Sequence, residues 1–217
     1  HDIGNPPFGH FGELAIRDWF LRKLPELHYK RQTLDMILSP QMKEDFYHFE
    51  GNAQALRLVT RLHYLVDEYG MNLTYALLNT IIKYPVSSTQ VHPDSGNIRE
   101  KKMGYFLADE KIFEEITQET KTGNCRHPLT YILEAADDLA YKTADIEDAF
   151  VKGFLSYHAF KEELVCLNEQ YPDSGFDGVL KLKELYQRGQ EKGVQNPEAY
   201  AIKNWIIRAQ GFLIDCA

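Results

Sequence analysis

The chain has 217 residues, enough for a well-buried domain, and a net charge of −8 that argues against a surface given over to nucleic-acid binding. It contains no apolar run of about eighteen residues, so we expect no transmembrane helix. The three cysteines are far apart and odd in number, which is typical of free or buried thiols in a reducing compartment, and we therefore expect a cytoplasmic protein.

Apolar residues recur at helical spacing along most of the chain. The spacing predicts helices over residues 11–24, 41–69, 73–84, 108–120 and 128–150, and a last helix that begins at Asn196 and Pro197. Gly70 and Pro85 are predicted to end the second and third helices, and the Pro, Gly and Ser content of residues 85–104 indicates a loop. Alternating strand patterns are scarce, so the predicted fold class is all-α.

The first candidate motif is the run HDIGNPPFGHFGE at residues 1–13. Imidazole and carboxylate groups such as those of His1 and Asp2 are natural ligands for divalent metals with a bound water. The Pro and Gly residues predict a tight turn that returns His10 and Glu13 towards the metal, where a His–Glu pair suits general acid–base catalysis. The competing interpretation is that Glu13 only favours a helix N-terminus and His10 is a turn residue.

The second motif is EAADDLAYKTAD at residues 134–145. Asp137, Tyr141 and Asp145 are spaced i, i+4, i+8, so on a helix they form one stripe about 12 Å long. The surrounding alanines predict close packing of a buried helix, and a stripe of that length can run from a metal to a sugar. The alternative is an ordinary solvated acidic face.

Two further segments are candidates for substrate contacts. In HFEGNAQ, residues 48–54, Gly51 and Asn52 stand inside a helical pattern at a cost in stability, which is typical either of close approach to a ligand or of a kink or packing contact. The acidic chain also contains a few lysines beside aromatic or glycine residues, namely Lys83 next to Tyr84, and Lys102 shortly before Gly104 and Tyr105. Lysines are usually solvated, but these are candidates for binding phosphate oxygens.

Together the four motifs resemble those of the bacterial deoxyguanosine triphosphate triphosphohydrolases (dGTPases), in the HD-domain metallophosphohydrolase superfamily. The resemblance covers most of the chain and implies an HD-domain helical bundle. It implies that residues 1–217 form a single HD-type domain, incomplete at both ends and part of a larger all-α protein, because the family's upstream His ligand and C-terminal helices are absent. It also implies hydrolysis of dGTP, with other dNTPs as further candidates, to a deoxynucleoside and inorganic triphosphate.

The resemblance assigns roles residue by residue. One divalent metal ion, Mn or Mg ahead of Fe, Co or Ni, is expected on His1, Asp2 and Asp137. The catalytic pair is His10 and Glu13. The substrate-contacting positions, with lysines on the phosphates, Tyr141 near the deoxyribose and Asp145 reading the 3′-hydroxyl, are Asn52, Lys83, Tyr84, Lys102, Tyr141 and Asp145. The family further implies dGTP as the substrate, a homohexamer, single-stranded DNA as an effector of some members, and no membrane partner.

Two alternatives stay open at this point. One is another HD-domain nucleotide phosphohydrolase, such as a nucleotidase or a cyclic-dinucleotide phosphodiesterase. The other is a catalytically silent regulatory subunit that binds nucleotide or DNA without turnover. Analysis of the reaction products separates all three.

Overall fold

A computed structural model of the chain describes residues 2–63 and 70–216. Nearly all of its regular structure is helical, which confirms the all-α prediction. The helices are α1 (His10–Lys23), α2 (Leu34–Ile37), α3 (Pro40–Tyr47), α4 (Gly51–Arg57), α5 (Tyr75–Thr80), α6 (Glu110–Glu119), α7 (Pro128–Val151), α8 (Tyr157–Gln170), α9 (Gly178–Glu191) and α10 (Pro197–Cys216). A short antiparallel hairpin pairs β1 (His28–Tyr29) with β2 (Gln32–Thr33).

Four predicted helices are confirmed as α1, α6, α7 and α10. The start of α10 is the clearest local case, because the Asn196 side-chain oxygen accepts a hydrogen bond from the Ala199 amide at 3.0 Å and Pro197 follows as the first helical residue. The loop predicted at residues 85–104 is also confirmed, and it contains only short 3₁₀ turns at Ser88–Gln90, Pro93–Ser95 and Ile98–Glu100.

The predicted continuous helix over residues 41–69 is wrong. The chain leaves helical geometry after Tyr47, and Glu50 is extended (φ −142°, ψ 130°) before α4 begins at Gly51. The break has a tertiary cause, because the Glu50 side chain and the Gly51 amide both bind partners on other segments. A π-helical turn, Leu58–Leu62, follows α4, and residues 64–69 of this prediction lie outside the described residues.

The helix predicted over residues 73–84 is shorter than expected, because α5 ends at Thr80. The carbonyl groups of Thr80 and Lys83 accept hydrogen bonds from Thr130 Oγ1 at 3.0 Å and Arg126 Nε at 2.8 Å. These contacts replace helical hydrogen bonds, so Ile82–Pro85 is a buried, irregular segment.

The chain divides into two compact units, with residues up to 133 in the first and residues from 134 onward in the second. A main core of the first unit contains Leu56, Ile82 and Ile116, and the core of the second contains Leu182 and Ile202. Each unit therefore has its own buried apolar centre. The single-domain interpretation of residues 1–217 stays a prediction.

The composition led to expectations about the cysteines and about membrane-spanning helices. All three cysteines, Cys125, Cys166 and Cys216, are free thiols as expected, and they are exposed. Within residues 2–63 and 70–216, no helix has both the length and the apolar character needed to cross a membrane.

Candidate active site

The start of the first motif is held against the first turn of α4. Asp2–Gly4 is a 3₁₀ turn, and a Cβ at Gly4 would collide with the carbonyl oxygen of Gly51 and the backbone of Ala55, so only glycine fits. Asn5 donates a side-chain hydrogen bond to Asp2 Oδ1 at 2.9 Å. The predicted metal ligand Asp2 is therefore positioned by a turn that packs on residue 51.

The predicted tight turn at Pro6–Gly9 is confirmed. The Gly9 amide donates to the Pro6 carbonyl at 3.0 Å, and both Phe8 (φ 67°) and Gly9 (φ 53°) are left-handed. The reversal ends at His10, the first residue of α1. The turn therefore leads from the Asp2 segment directly into the helix that carries the catalytic candidates.

The structure brings the predicted catalytic pair together. His10 Nδ1 lies 3.0 Å from Glu13 Oε2, and Glu13 Oε1 accepts a hydrogen bond from the Gly51 amide at 2.8 Å. The Glu13 side chain is only 4% exposed, whereas that of His10 is 84% exposed. A buried, doubly bonded carboxylate thus orients an imidazole that is open to solvent.

The electrostatic surroundings keep Glu13 ionised. Burial by itself raises the pKa of Glu13, but the hydrogen bonds from His10 and the Gly51 amide and the charge of Lys102 outweigh it, so the pKa lies below its ordinary value. An ionised carboxylate only accepts hydrogen bonds, so His10 Nδ1 must carry the proton. In neutral His10 the Nε2 atom is then the acceptor that a substrate or water meets.

A second buried carboxylate, which the sequence analysis did not single out, organises the other side of this cluster. The Glu50 side chain is 1% exposed, and its Oε2 accepts a hydrogen bond from an Arg17 guanidinium nitrogen at 2.9 Å. Its Oε1 accepts from Asn52 Nδ2 at 2.9 Å and from Lys102 Nζ at 2.9 Å. Arg17 is fixed in turn by donation from Nε to the Phe49 carbonyl at 2.7 Å. A buried charge needs such partners to be tolerated.

Lys102 connects the two carboxylates, because its Nζ also lies 3.8 Å from Glu13 Oε2. His10 and Glu13 therefore belong to one cluster with Asn52 and Lys102, which lie far from them in the sequence. Arg17 was missed, although its spacing from Glu13 (i+4) puts both on one face of a helix. That spacing was a signal available in the sequence.

Lys83 and Tyr84 are both buried in the irregular segment after α5. This segment runs beside the one that follows Lys102, because the Gly104 amide donates to the Val86 carbonyl at 2.9 Å and a Cβ at Gly104 would meet the Tyr84 carbonyl. The two predicted phosphate-binding segments are therefore neighbours. The role of Lys83 and Tyr84 in binding substrate stays a prediction.

The predicted stripe of Asp137, Tyr141 and Asp145 lies on one continuous helix, α7. The expectation of a buried, alanine-lined stripe is wrong, because Tyr141 is 50% exposed and the alanines at positions 136, 140 and 144 are exposed. The part of α7 that belongs to the second unit buries the opposite face. There Thr143 is buried and accepts a hydrogen bond from Gln210 Nε2 at 2.7 Å. The predicted roles of these three residues stay predictions.

The predicted metal ligands are compared with the donor groups that divalent metals prefer. His1 lies outside the described residues, and within residues 2–63 and 70–216 no three His, Cys, Asp or Glu side chains form a cluster that could hold a metal ion. The set His1, Asp2 and Asp137 combines imidazole with carboxylate, a donor set that fits a divalent metal of the Mn to Zn series. These ligands stay predictions.

Comparison with known proteins gives the family context. No protein-family model matches the chain. It is 50% identical over 218 aligned residues to a deoxyguanosinetriphosphate triphosphohydrolase-like protein of Listeria monocytogenes, an alignment that covers 99% of this chain and 45% of the relative. It is 42% and 40% identical to the deoxyguanosinetriphosphate triphosphohydrolases of Yersinia enterocolitica and Serratia proteamaculans, over 76% of this chain and 36% and 35% of those proteins. The chain thus spans less than half the length of these curated relatives.

Proposed function

On the premise that this chain belongs to the family of deoxyguanosinetriphosphate triphosphohydrolases and their like proteins, we propose that the protein containing it hydrolyses dGTP to deoxyguanosine and inorganic triphosphate. The observation that carries the proposal is the exposed His10 imidazole held by the buried Glu13 carboxylate at 3.0 Å. An imidazole base oriented in this way by a carboxylate is the arrangement that activates a nucleophile in hydrolytic enzymes.

In the proposed reaction His10 Nε2 takes a proton from the attacking water, and ionised Glu13 stabilises the imidazolium through Nδ1. The water oxygen bonds to the α-phosphorus while the bond from that phosphorus to the 5′-oxygen breaks. The proton then passes from His10 to the 5′-oxygen of deoxyguanosine. All three phosphates leave together, because the only bond cut is on the nucleoside side of the α-phosphorus.

Substrate contacts are proposed for the predicted positions. Lys102 and Lys83 would hold phosphate oxygens, with Asn52 and Tyr84 beside them, since ammonium groups are good partners for phosphate. Tyr141 and Asp145 would contact the deoxyribose and its 3′-hydroxyl. A divalent ion on His1, Asp2 and Asp137, Mn or Mg ahead of Fe, Co or Ni, would polarise the α-phosphate and lower the pKa of water.

The homohexamer, the single-stranded DNA effector and the cytoplasmic location are proposals that rest on the resemblance and on the spacing of the cysteines. They concern the whole protein, because the Listeria relative is more than twice as long as this chain. Light scattering of the full-length protein tests the hexamer, and triphosphate release with and without a single-stranded oligonucleotide tests the effector.

The proposed function is tested by incubating the full-length protein with each of the four dNTPs and Mn²⁺ or Mg²⁺ and separating the products by anion-exchange chromatography. Inorganic triphosphate together with a free deoxynucleoside is the expected result, with dGTP turned over fastest. Stepwise release of phosphate would indicate a different phosphohydrolase. Binding without turnover would favour a regulatory subunit.

A further inference from the structure

The Lys102 ammonium lies between two buried carboxylates, and it is closer to Glu50 than to Glu13. Its Nζ is 2.9 Å from both oxygens of Glu50 and 3.8 Å from Glu13 Oε2. The Glu13 oxygen that it approaches is the one bonded to His10 Nδ1. Two cationic or donor groups therefore face the same atom, and only one of them is in hydrogen-bond contact with it.

Glu50 is held where it can keep the ammonium. The extended backbone at Glu50 separates α3 from α4, and Arg17 and Asn52 each donate to its carboxylate at 2.9 Å. Both of these partners are themselves on helices, α1 and α4. The position of the Glu50 carboxylate is thus fixed by its own extended backbone and by side chains from α1 and α4. Lys102, in contrast, has a flexible four-carbon side chain, so its ammonium can move to whichever carboxylate is nearest.

The formal charges balance only when Glu50 is present. Glu13 and Glu50 contribute two negative charges, and Arg17 and Lys102 contribute two positive charges. Without the Glu50 charge, the nearest remaining carboxylate for Lys102 is Glu13. An ammonium at hydrogen-bond distance from Glu13 Oε2 would compete with His10 for that oxygen, because two opposite full charges attract each other more strongly than a carboxylate attracts the N–H of a neutral imidazole.

We propose that Glu50 is a positioning residue that holds the Lys102 ammonium away from Glu13 and so reserves Glu13 for His10. It acts through Lys102 and has no contact of its own with the reacting atoms. Its effect on catalysis rests on the proposed function, but its effect on the His10–Glu13 hydrogen bond does not.

The kinetic test is a double-mutant cycle in the full-length protein with Glu50→Gln, Lys102→Met and the double variant. Glu50→Gln is expected to lower kcat about 10-fold or more, because misplacing a general base forfeits part of its 10²–10⁴-fold contribution. Lys102→Met is expected mainly to raise KM for dGTP. In the Lys102→Met background, Glu50→Gln should change kcat by less than about 2-fold, because the competing ammonium is gone.

If Glu50→Gln lowers kcat by the same factor in the wild-type and Lys102→Met backgrounds, the proposal is overturned and Glu50 has a purely structural role. Glu26→Gln is the matched control, because Glu26 also pairs with a lysine, Lys23, at 2.7 Å but on the surface, and it should leave kcat unchanged. If Glu50→Gln does not fold, Glu50→Asp keeps the negative charge but retracts the carboxylate by one methylene from Arg17 and Lys102 alike. It should lower kcat in the same direction, again only when Lys102 is present.

A second readout does not require turnover. In protein labelled with ¹⁵N at the histidine rings, the His10 Nδ1 resonance, assigned with His10→Gln, should have the position of a hydrogen-bonded N–H. Glu50→Gln should remove that signature and the double variant should restore it. A signature unaffected by Glu50→Gln would overturn the proposal, even if the wild-type protein released no triphosphate and the proposed function had failed.

Discussion

Two buried carboxylates of this chain show how strongly the pKa of a single residue depends on its hydrogen-bond and charge partners. Glu13 and Asp45 are both below 10% exposed. Burial raises the pKa of Asp45, although Ser88 Oγ and the Leu107 amide donate to it at 2.6 and 2.8 Å. At Glu13 the same penalty is outweighed by His10, the Gly51 amide and Lys102, and the pKa is lowered. Residue type alone would not distinguish the two.

At the residue scale, we therefore predict the pH dependence of the stability that Glu13 provides. A carboxylate with a lowered folded-state pKa contributes stability above its ordinary pKa of 4.5 and loses it as the pH falls through the folded value. Glu13→Gln should cost about 1.5–3 kcal/mol of unfolding free energy at neutral pH, the value of hydrogen bonds to a charged group. Denaturant unfolding of both proteins should show this difference shrinking as the pH drops below the ordinary pKa of 4.5.

Asp45→Asn is the control with the opposite sign. Because the folded-state pKa of Asp45 is raised, its contribution is greatest at low pH and is lost as the pH rises through that value. The wild type should therefore gain stability over Asp45→Asn on acidification. Parallel trends for the two variants would contradict the assigned environments.

At the scale of elements, the interruption between α3 and α4 is what builds the site. A continuous helix would bond the Gly51 amide within the helix and would not turn the Glu50 side chain towards Arg17 and Lys102. The interruption instead delivers both groups to α1. The glycine leaves room at its start for the side chains of Asn5 and Glu13, because a Cβ there would lie 2.9 Å from Glu13 Oε1 and closer still to Asn5 Oδ1, so both would have to shift.

We predict that Gly51→Ala lowers the unfolding free energy by about 1–3 kcal/mol through overpacking and lowers kcat by displacing Glu13. Gly211→Ala is the matched control, because a Cβ at that position of α10 meets no atom within 4 Å. It should raise stability by about 0.5–1 kcal/mol through helix propensity and leave kcat unchanged. Thermal unfolding and steady-state kinetics measure both; equal tolerance of the two alanines would rule out the steric role of residue 51.

At the scale of the whole molecule, the predicted metal ligands come from distant parts of the sequence, so their test requires the full-length protein. We predict that chelation abolishes triphosphate release and that Mn²⁺ or Mg²⁺ restores it. Asp2→Asn and Asp137→Asn should each lower the bound metal measured by titration calorimetry. Asp138→Asn should not, because Asp138 is an exposed partner of Lys142 at 3.1 Å. Full metal binding by Asp137→Asn would remove Asp137 from the ligand set.

The amino-acid sequence by itself determined the all-α class, the helices α1, α6, α7 and α10, and the pairing of His10 with Glu13. These features depend on neighbours within one or two helical turns, where apolar periodicity, capping residues and i, i+3 spacing act directly. Only the tertiary structure decided the break before Gly51, the early end of α5, the exposure of Tyr141 and the role of Glu50. The contacts of Glu50 with Arg17 and Lys102 span 33 and 52 residues, and no local pattern carries the information on which distant charges will meet a buried carboxylate.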